Sequence, residues 1–382
     1  MRLKKSYRDS WVEIDLNNIQ YNIEQLRHRL SHHTNIYAVV KANAYGHGDV
    51  EVAKAAIQAG ASRLAVALLD EAVKLRDHGI TVPILVMGWV HPEDVSVAAD
   101  NDITITFFQK EWLEQVMQLE FSGRLKLHMK WDTGMGRIGL RDEKELTELL
   151  QLLNEPRFYL EGIFTHFATA DETDLNYFRD QQARFEQLYQ VFRANWNQPV
   201  IFHTGNSAAS MRFPDVMQHY VRFGISMYGL YPSQIVKQEK PIDLKPAFSL
   251  HSRLIHVKKL PKGESISYGA TYTTQEDEWT GTVPLGYADG IRRKLQGTDV
   301  LIGGQRAEIV GKICMDQFMI RLSKPYPVGT KVTVIGTQAD QEITMDELAS
   351  HLDTINYEIA CMISDRVPRY YIPAVNEKNT HV

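Results

Sequence analysis

Two patterns of hydrophobic and polar residues alternate along the first 230 residues of the chain. Short runs of consecutive apolar residues, as in Ile36 to Val40, are typical of strands that are buried on both faces. The segments between these runs place apolar residues every three or four positions, which predicts helices with one buried face. One such face consists of Leu16, Ile19, Ile23, Leu26 and Leu30.

The predicted elements repeat as a strand followed by a helix. Strands are predicted at 35–41, 63–67, 83–88, 103–107, 125–131, 159–167, 200–204 and 220–224. Helices are predicted at 49–59, 69–78, 142–153 and 174–194. Eight strands fall within about 190 residues, and each connection is long enough for a crossover helix. This α/β pattern predicts a closed (β/α)8 TIM barrel rather than an open doubly wound sheet.

The pattern changes after about residue 230, where strand-like runs follow one another with turns instead of helices. Strands are predicted at 248–258, 265–274, 279–284, 300–302, 307–310, 318–322 and 331–335, with one helix near 344–352. We therefore expect two domains: a barrel at 1–235 and a mainly β domain at 236–382. The first strand, at about 11–16, precedes the barrel pattern and could pack with the β domain.

Composition narrows the class of protein. The 382 residues are 44% hydrophobic and 23% charged, as in ordinary globular enzymes. A net charge of −5 and scattered basic residues argue against nucleic-acid binding. The two cysteines, Cys314 and Cys361, have no metal-binding spacing. Because the N-terminus lacks the apolar region of a signal peptide and no apolar run is long enough to span a membrane, we expect a cytoplasmic protein.

Lys41 stands at the end of a strand that is buried on both faces. Lysine is rarely buried without a partner, so this position needs an explanation. In the simpler one, the stem covers apolar surface while the amine reaches water. In the other, the amine lies in a pocket of low dielectric constant, where its pKa falls and it forms a Schiff base with a carbonyl. The other strand ends decide between the two.

Basic and polar residues also follow the later strands, and ligands of barrels bind at the carboxyl ends of strands. They are Lys130 and Arg137, His166, Asn206 and Ser207, and Arg222, Gly224 and Ile225. Taken singly, Ser207 could be a helix N-cap, His166 a core histidine and Arg137 a brace for its own loop. Together they place an amine and a phosphate-binding backbone on one rim, which predicts pyridoxal 5′-phosphate.

Nine segments resemble, in order, the motifs of the alanine racemase family. They are AVVKANAYGHG, KWDTGMGRIG, THFA, HTGNSAA, VRFGISMYG, ISYGATY, LGYADG, GKICMDQ and TINYEI. No single segment is specific, but the set is. The segments lie between residues 38 and 359, and the resemblance covers the chain from about residue 11 to residue 370. The resemblance implies a pyridoxal-phosphate-binding barrel followed by a β domain, assembled as a homodimer.

The resemblance also implies roles for the candidate residues. Lys41 would form the Schiff base with the cofactor, and Arg222 would face its pyridine nitrogen. The phosphate would be held by Tyr45, Ser207, Tyr357 and the Gly224–Ile225 backbone, with His166 and Asn206 among the other cofactor-binding residues. No metal ion is expected.

For the substrate, the resemblance implies that Arg137 and the Met315 region receive the carboxylate. Tyr268, supplied by the partner chain, would be the second acid–base residue beside Lys41. Lys130 matches a position that carries a carbamate in some family members. The chain departs from the family's frequent residues at Phe223, where proline is often found, and at Gly205, where alanine is common. Neither departure replaces a chemical group.

The implied activity is interconversion of L-alanine and D-alanine by a two-base mechanism, supplying D-alanine for peptidoglycan. Three alternatives remain open at this stage. A serine or broad-specificity racemase would share these motifs, because the side-chain pocket is not legible in them. A pyridoxal phosphate carrier protein would lack the second domain, and a decarboxylase of related architecture would need room for a long basic substrate.

Overall fold

The computed structural model describes residues 7–373, which form two units. The barrel unit contains residues 18–44 and 49–246, and the β unit contains residues 7–17, 45–48 and 247–373. After residue 246, beyond the last helix of the barrel unit, the chain passes from the barrel unit into the β unit. None of the helices in this described part of the chain is both long and apolar enough to cross a membrane.

The barrel unit alternates strands and helices, as predicted. After β1 (Ser10–Asp15), which belongs to the β unit, its strands are β2 (Asn35–Val39), β3 (Arg63–Val66), β4 (Ile84–Val86), β5 (Thr104–Phe107), β6 (Leu125–Lys130), β7 (Phe158–Phe164), β8 (Ile201–His203) and β9 (Tyr220–Phe223). Its helices are α1 (Leu16–Arg29), α2 (Asp49–Gln58), α3 (Leu69–Asp77), α4 (Val95–Asp100), α5 (Lys110–Met117), α6 (Glu143–Leu152), α7 (Asn176–Asn195), α8 (Ser207–Arg212) and α9 (Gln234–Glu239).

The eight barrel strands are all parallel and lie in the order β8-β7-β6-β5-β4-β3-β2-β9. The two end strands of this order approach each other, since the Arg222 N–H donates to the Gly205 carbonyl at 2.9 Å. The result is a nearly closed barrel, which confirms the predicted fold class. Its carboxyl end is the face where the candidate residues follow the strands.

The β unit is built around a ten-stranded sheet in the order β11-β14-β17-β16-β15-β18-β10-β1-β20, with β19 beside β18. Its strands are β10 (Phe248–Arg253), β11 (His256–Leu260), β12 (Ser265–Ile266), β13 (Tyr272–Thr273), β14 (Glu278–Val283), β15 (Asp299–Ile302), β16 (Gln305–Val310), β17 (Phe318–Leu322), β18 (Lys331–Gln338), β19 (Gln341–Ile343) and β20 (Arg369–Ile372). Helices α10 (Met345–Leu352) and α11 (Asn356–Met362) follow β19. Strand β1 pairs with β10 and β20.

Two predicted strands of the β unit are each divided in the structure. The run at 248–258 forms β10 and β11, because β10 pairs with β1 and β18 whereas β11 pairs with β14. The run at 265–274 forms the short pair β12 and β13, which are joined by a 3-10 turn at Tyr268–Ala270. Apolar spacing alone does not show where a strand changes its partner.

Candidate active site

A left-handed turn follows Lys41. Strand β2 ends at Val39, and each of the four residues 42–45 then has a φ of 52–53°. A left-handed conformation costs roughly 1–2 kcal/mol per residue other than glycine, so it persists only where its surroundings hold it. Here the Glu71 carboxylate accepts from the Ala42 N–H at 2.5 Å, and the Asn43 side chain accepts from the Asp49 N–H at 3.1 Å. The half-buried Lys41 is thereby fixed at the carboxyl end of its strand.

Arg222 lies buried at the carboxyl end of β9. Its Nη1 donates to His203 Nδ1 (2.8 Å) and to the His203 carbonyl (2.7 Å). Its Nη2 donates to the carbonyls of Thr165 (2.7 Å) and Thr204 (3.1 Å) and to His166 Nδ1 (3.3 Å). Nε donates to no described residue. Burial, with no carboxylate of the described chain in an ion pair with it, lowers the pKa of Arg222 to about 9.

Lys130 and His166 share this positively charged end of the barrel. Burial, together with the charges of Arg222 and Arg137, lowers the pKa of Lys130 to about 7. Its Nζ donates to the Trp131 carbonyl at 2.6 Å. Burial and the nearby cations, Lys41 among them, hold the pKa of His166 well below its usual value. His166 is therefore neutral, and a negatively charged ligand would be attracted to this end of the barrel.

The loops after β8 and β9 are joined by Ser207. Asn206 is the N-cap of α8, because its side chain accepts from the Ala209 N–H at 3.0 Å. The interpretation of Ser207 as the N-cap is therefore wrong. The buried Ser207 hydroxyl instead accepts from the Gly224 N–H at 3.0 Å. Asn206 also donates to the Phe167 carbonyl (3.1 Å), which ties this loop to the one after β7.

Within the β unit, Tyr45 and Tyr357 are aromatic neighbours. Their ring centroids are 6.2 Å apart, and Tyr357 lies in the first turn of α11. Burial raises the pKa of Tyr45, so its hydroxyl stays protonated and can donate a hydrogen bond. Arg369 donates to the Gly46 carbonyl at 3.1 Å and so holds the segment that contains Tyr45.

Tyr268 and Met315 lie on the surface of the β unit, with 72% and 53% of their area exposed. The backbone before Tyr268 is constrained, because Ser267 has a φ of 69°, which is unfavourable for any residue with a side chain. The Ser267 hydroxyl donates to the Lys312 carbonyl at 2.5 Å and holds this conformation. Tyr268 is thus a solvent-exposed phenol on a rigid turn.

The predicted site residues fall into two sets. At the carboxyl end of the barrel the structure brings together Lys41, Lys130, Arg137, His166, Asn206, Ser207, Arg222, Gly224 and Ile225. The β unit carries Tyr45, Tyr268, Met315 and Tyr357. In the part of the chain that the structure describes, no group of three or more His, Cys, Asp or Glu side chains could hold a metal ion.

Three polar residues of the barrel interior were not among the residues predicted from the sequence. His203, directly before the TGNS segment, accepts from Arg222, and His128 and Glu161 lie beyond it. One signal in the sequence pointed to such residues. His128 lies inside the strand predicted at 125–131, and a polar side chain in a buried strand requires a hydrogen-bonding partner.

The chain is similar to known proteins over nearly its whole length. The family described as alanine racemase, N-terminal domain, matches residues 14–232, and the one described as alanine racemase, C-terminal domain, matches residues 247–371. An alanine racemase of Geobacillus kaustophilus is 56% identical over 369 residues, which cover 96% of this chain and 95% of that protein.

Solved structures are similar over nearly the whole chain. The alanine racemase of Bacillus anthracis, with bound L-Ala-P, has a TM-score of 0.94 and 49% identity, and the match covers 97% of this chain and 96% of that one. A histidine racemase of Leuconostoc mesenteroides has a TM-score of 0.89 and 33% identity, with 97% and 100% covered.

Proposed function

This chain belongs to the alanine racemase family and is an isomerase that interconverts L-alanine and D-alanine, and we propose that Lys41 and Tyr268 carry out the reaction with pyridoxal 5′-phosphate. The observation that carries this proposal is the hydrogen bonding of Arg222. Its Nη atoms are held by five hydrogen bonds, whereas its Nε donates to no described residue. A buried, fixed donor of this kind suits the pyridine nitrogen of the cofactor.

The residues present fit the other parts of the cofactor. Its aldehyde needs an amine, for which Lys41 stands at the carboxyl end of β2. Its phosphate needs hydrogen-bond donors, and we assign these to Ser207, Tyr45, Tyr357 and the backbone N–H groups of Gly224 and Ile225. The Gly224 N–H, which donates to the Ser207 hydroxyl in this structure, would donate to the phosphate instead. The positive charge of the barrel end favours an anion there. When bound, the cofactor supplies an electron sink that makes the Cα proton of the substrate acidic.

Lys41 and Tyr268 act on opposite faces of the substrate Cα in this proposal. For L-alanine one of them removes the Cα proton while the other returns a proton from the opposite face, and for D-alanine the roles are exchanged. Free lysine and tyrosine both titrate near 10, so both pKa values must fall for catalysis at neutral pH. Neutral His166 accepts from Arg222 at Nδ1, which leaves its proton on Nε2, available for the Tyr268 oxygen.

Tyr268 would come from a second copy of the chain in a homodimer. Its exposure on a rigid turn supports this, since a phenol that faces solvent in one chain can enter the site of another. We assign the substrate carboxylate to Arg137 and the Met315 region. We further propose a cytoplasmic location and a role in supplying D-alanine for peptidoglycan, both of which rest on family membership.

The second candidate is a broader amino-acid racemase. The similarity to a histidine racemase at 33% identity favours keeping it, because it links this fold to a larger substrate. Initial rates with both enantiomers of alanine, serine and histidine separate the two candidates. We expect kcat/KM for alanine to exceed that for the other amino acids by at least about tenfold, as expected when each extra group must fit a small pocket. Equal values would favour the broader activity.

Arg222→Glu should change the outcome of the reaction. A carboxylate can share a proton with the pyridine nitrogen, which strengthens the electron sink and favours side reactions over racemisation. We expect racemisation to slow at least about tenfold, and the amount of pyruvate formed by transamination per racemisation to rise. Arg222→Lys, which keeps the positive charge, is the matched control and should form little pyruvate. An unchanged ratio in Arg222→Glu would show that Arg222 does not face the ring.

Lys130 should carry a carbamate whose occupancy depends on pH. Only a neutral amine adds carbon dioxide, and a pKa near 7 leaves Lys130 largely neutral above pH 7 and protonated below it. With ¹³C-bicarbonate we expect a carbamate resonance in the ¹³C spectrum that weakens as the pH falls from 8 to 6. The resonance should be lost in Lys130→Arg and retained in Lys126→Ala, an ion-paired lysine of the same strand. A resonance that persists in Lys130→Arg would place the carbamate elsewhere.

A further inference from the structure

A continuous chain of hydrogen bonds leads from Arg222 into the barrel interior. Arg222 Nη1 bonds to His203 Nδ1 (2.8 Å), His203 Nε2 bonds to His128 Nδ1 (2.9 Å), and His128 Nε2 bonds to Glu161 Oε2 (3.1 Å). Both imidazoles are completely buried. Arg63 and Thr104 hold the carboxylate at the far end, at 2.8 and 3.0 Å. These hydrogen bonds therefore join a buried cation to a mostly buried carboxylate through two imidazoles.

Two local features of the backbone accommodate these hydrogen-bonded side chains. Strands β6 and β7 shift register between Leu127 and His128, so that Leu127 pairs with Leu160 and His128 with Gly162. Glu161 is the extra residue of this β-bulge, and bulges redirect side chains. A Cβ on Gly162 would lie 2.4 Å from the His128 ring, so glycine is required at this position of β7, beside the imidazole.

The two ends of this series of hydrogen bonds, Arg222 and Glu161, determine where the protons of the two imidazoles lie. Arginine only donates, so His203 Nδ1 must be unprotonated and its proton must lie on Nε2. His203 Nε2 then donates to His128 Nδ1, and His128 Nε2 donates to Glu161. Burial lowers the pKa of both histidines, so each is neutral and carries one proton. Against the effect of burial, the bonds from His128 and Arg63 hold the pKa of Glu161 at about 2, so it accepts as a carboxylate.

We infer that Glu161 is a positioning residue for Arg222, which it holds by fixing the protonation of His128 and His203. If Glu161 lost its charge, the two imidazoles could exchange tautomers. A proton on His203 Nδ1 would then face the Arg222 N–H, and two donors in contact would displace the guanidinium. This inference rests on the proposed role of Arg222, whose Nε must stay aligned with the pyridine nitrogen. Glu161 itself touches neither cofactor nor substrate.

Histidine ¹⁵N NMR of the unmodified holoenzyme tests the proton positions directly. Selective ¹⁵N-histidine labelling, with resonances assigned by His128→Gln and His203→Gln, should show both rings neutral and protonated at Nε2. Protonation of His203 at Nδ1, or a cationic ring, would overturn the inference. This measurement requires no altered Glu161 and no activity. It therefore decides the proton positions even if the proposed reaction is not observed.

Glu161→Gln tests the consequence for catalysis. We expect a second tautomer at His203, a fall in kcat of about tenfold as for one lost charge-assisted hydrogen bond, and a KM within about twofold of the unaltered value. Arg63→Gln is the matched control, since it breaks the same ion pair but leaves the carboxylate on His128. It should keep the His203 tautomer and a kcat within about twofold.

The two variants separate a positioning role from a purely structural one. If Glu161 only stabilised the fold, both variants would lower the melting temperature and neither would alter the His203 resonances. Unaltered resonances in a folded Glu161→Gln protein, or an unaltered kcat, would overturn the inference. The unaltered enzyme would still racemise alanine in that case, so the proposed function would stand. Absence of alanine racemisation in the unaltered enzyme would instead contradict the proposed function, while the proton positions found by NMR would stand.

Discussion

Replacing Lys41 with alanine should lower kcat for alanine racemisation by at least about a thousandfold, the upper range of a single acid–base group. The expected loss is large because Lys41 has two proposed roles: it attaches the cofactor, and it transfers the Cα proton on one face of the substrate. Racemisation of both enantiomers should fall together, since every turnover in either direction needs both faces. Polarimetry or a coupled D-alanine assay measures the loss.

The attachment point can be identified independently of activity. Borohydride reduction of the holoenzyme should fix the cofactor onto Lys41, and peptide mapping should find the added mass in the segment that contains it. Lys54→Ala, which removes a half-exposed lysine of α2, is the matched control and should leave both adduct and activity unchanged. A reduced adduct on Lys130, which also has a lowered pKa, would transfer the cofactor role to that residue.

The barrel was predictable from the sequence because strands with both faces buried consist mainly of apolar residues. The eight apolar runs correspond to β2 through β9, and the largest difference is at β7, which ends at Phe164 instead of residue 167. The helix at 69–78 was equally legible, since the polar residues after Leu75 and then Gly79 mark its end. These signals are local, so they need no knowledge of the tertiary structure.

The conformation after Lys41 was not predictable in the same way. In the segment ANAY only Asn43 adopts positive φ readily, whereas the two alanines and Tyr45 ordinarily avoid it, so the segment does not indicate a left-handed turn of four residues. The turn depends on Glu71, which comes from another part of the chain and accepts from the Ala42 N–H. A strained backbone held by a distant carboxylate has no local signal.

The hydrogen bonds that link Arg222 to the barrel interior were likewise not predictable from the local sequence. His128, Glu161 and His203 come from β6, β7 and β8, and they meet only once these strands are side by side. The bulge that turns Glu161 inward is a property of strand pairing, not of either strand alone. The sequence therefore predicted the polar residues at the strand ends better than the polar residues that bond to one another inside the barrel.

The proposed dimer has a consequence that activity measurements can detect. Lys41 belongs to the barrel unit and Tyr268 to the β unit, and each site would combine Lys41 of one chain with Tyr268 of the other. A twofold-symmetric dimer then contains two such composite sites. Lys41→Ala and Tyr268→Ala chains should each be nearly inactive alone, because each lesion disables both sites of its own dimer.

Mixing the two variants should restore activity. In a mixed dimer one site carries both lesions, while the other combines an intact Lys41 with an intact Tyr268. With random pairing about half the dimers are mixed and each has one intact site, so co-expression should give about a quarter of the unaltered activity. If both residues came from the same chain, each site would carry one lesion and no activity would return.

A reciprocal mixture gives the opposite signature and serves as the control. When unaltered chains are paired at random with an equal amount of Lys41→Ala/Tyr268→Ala chains, every site of a mixed dimer contains one lesion if the sites are composite. Activity should then be about a quarter of that of an equal total of unaltered chains, whereas sites within one chain would retain about half. Differential affinity tags confirm that mixed dimers form. A value near one half, with no recovery in the first mixture, would place both catalytic residues in the same chain.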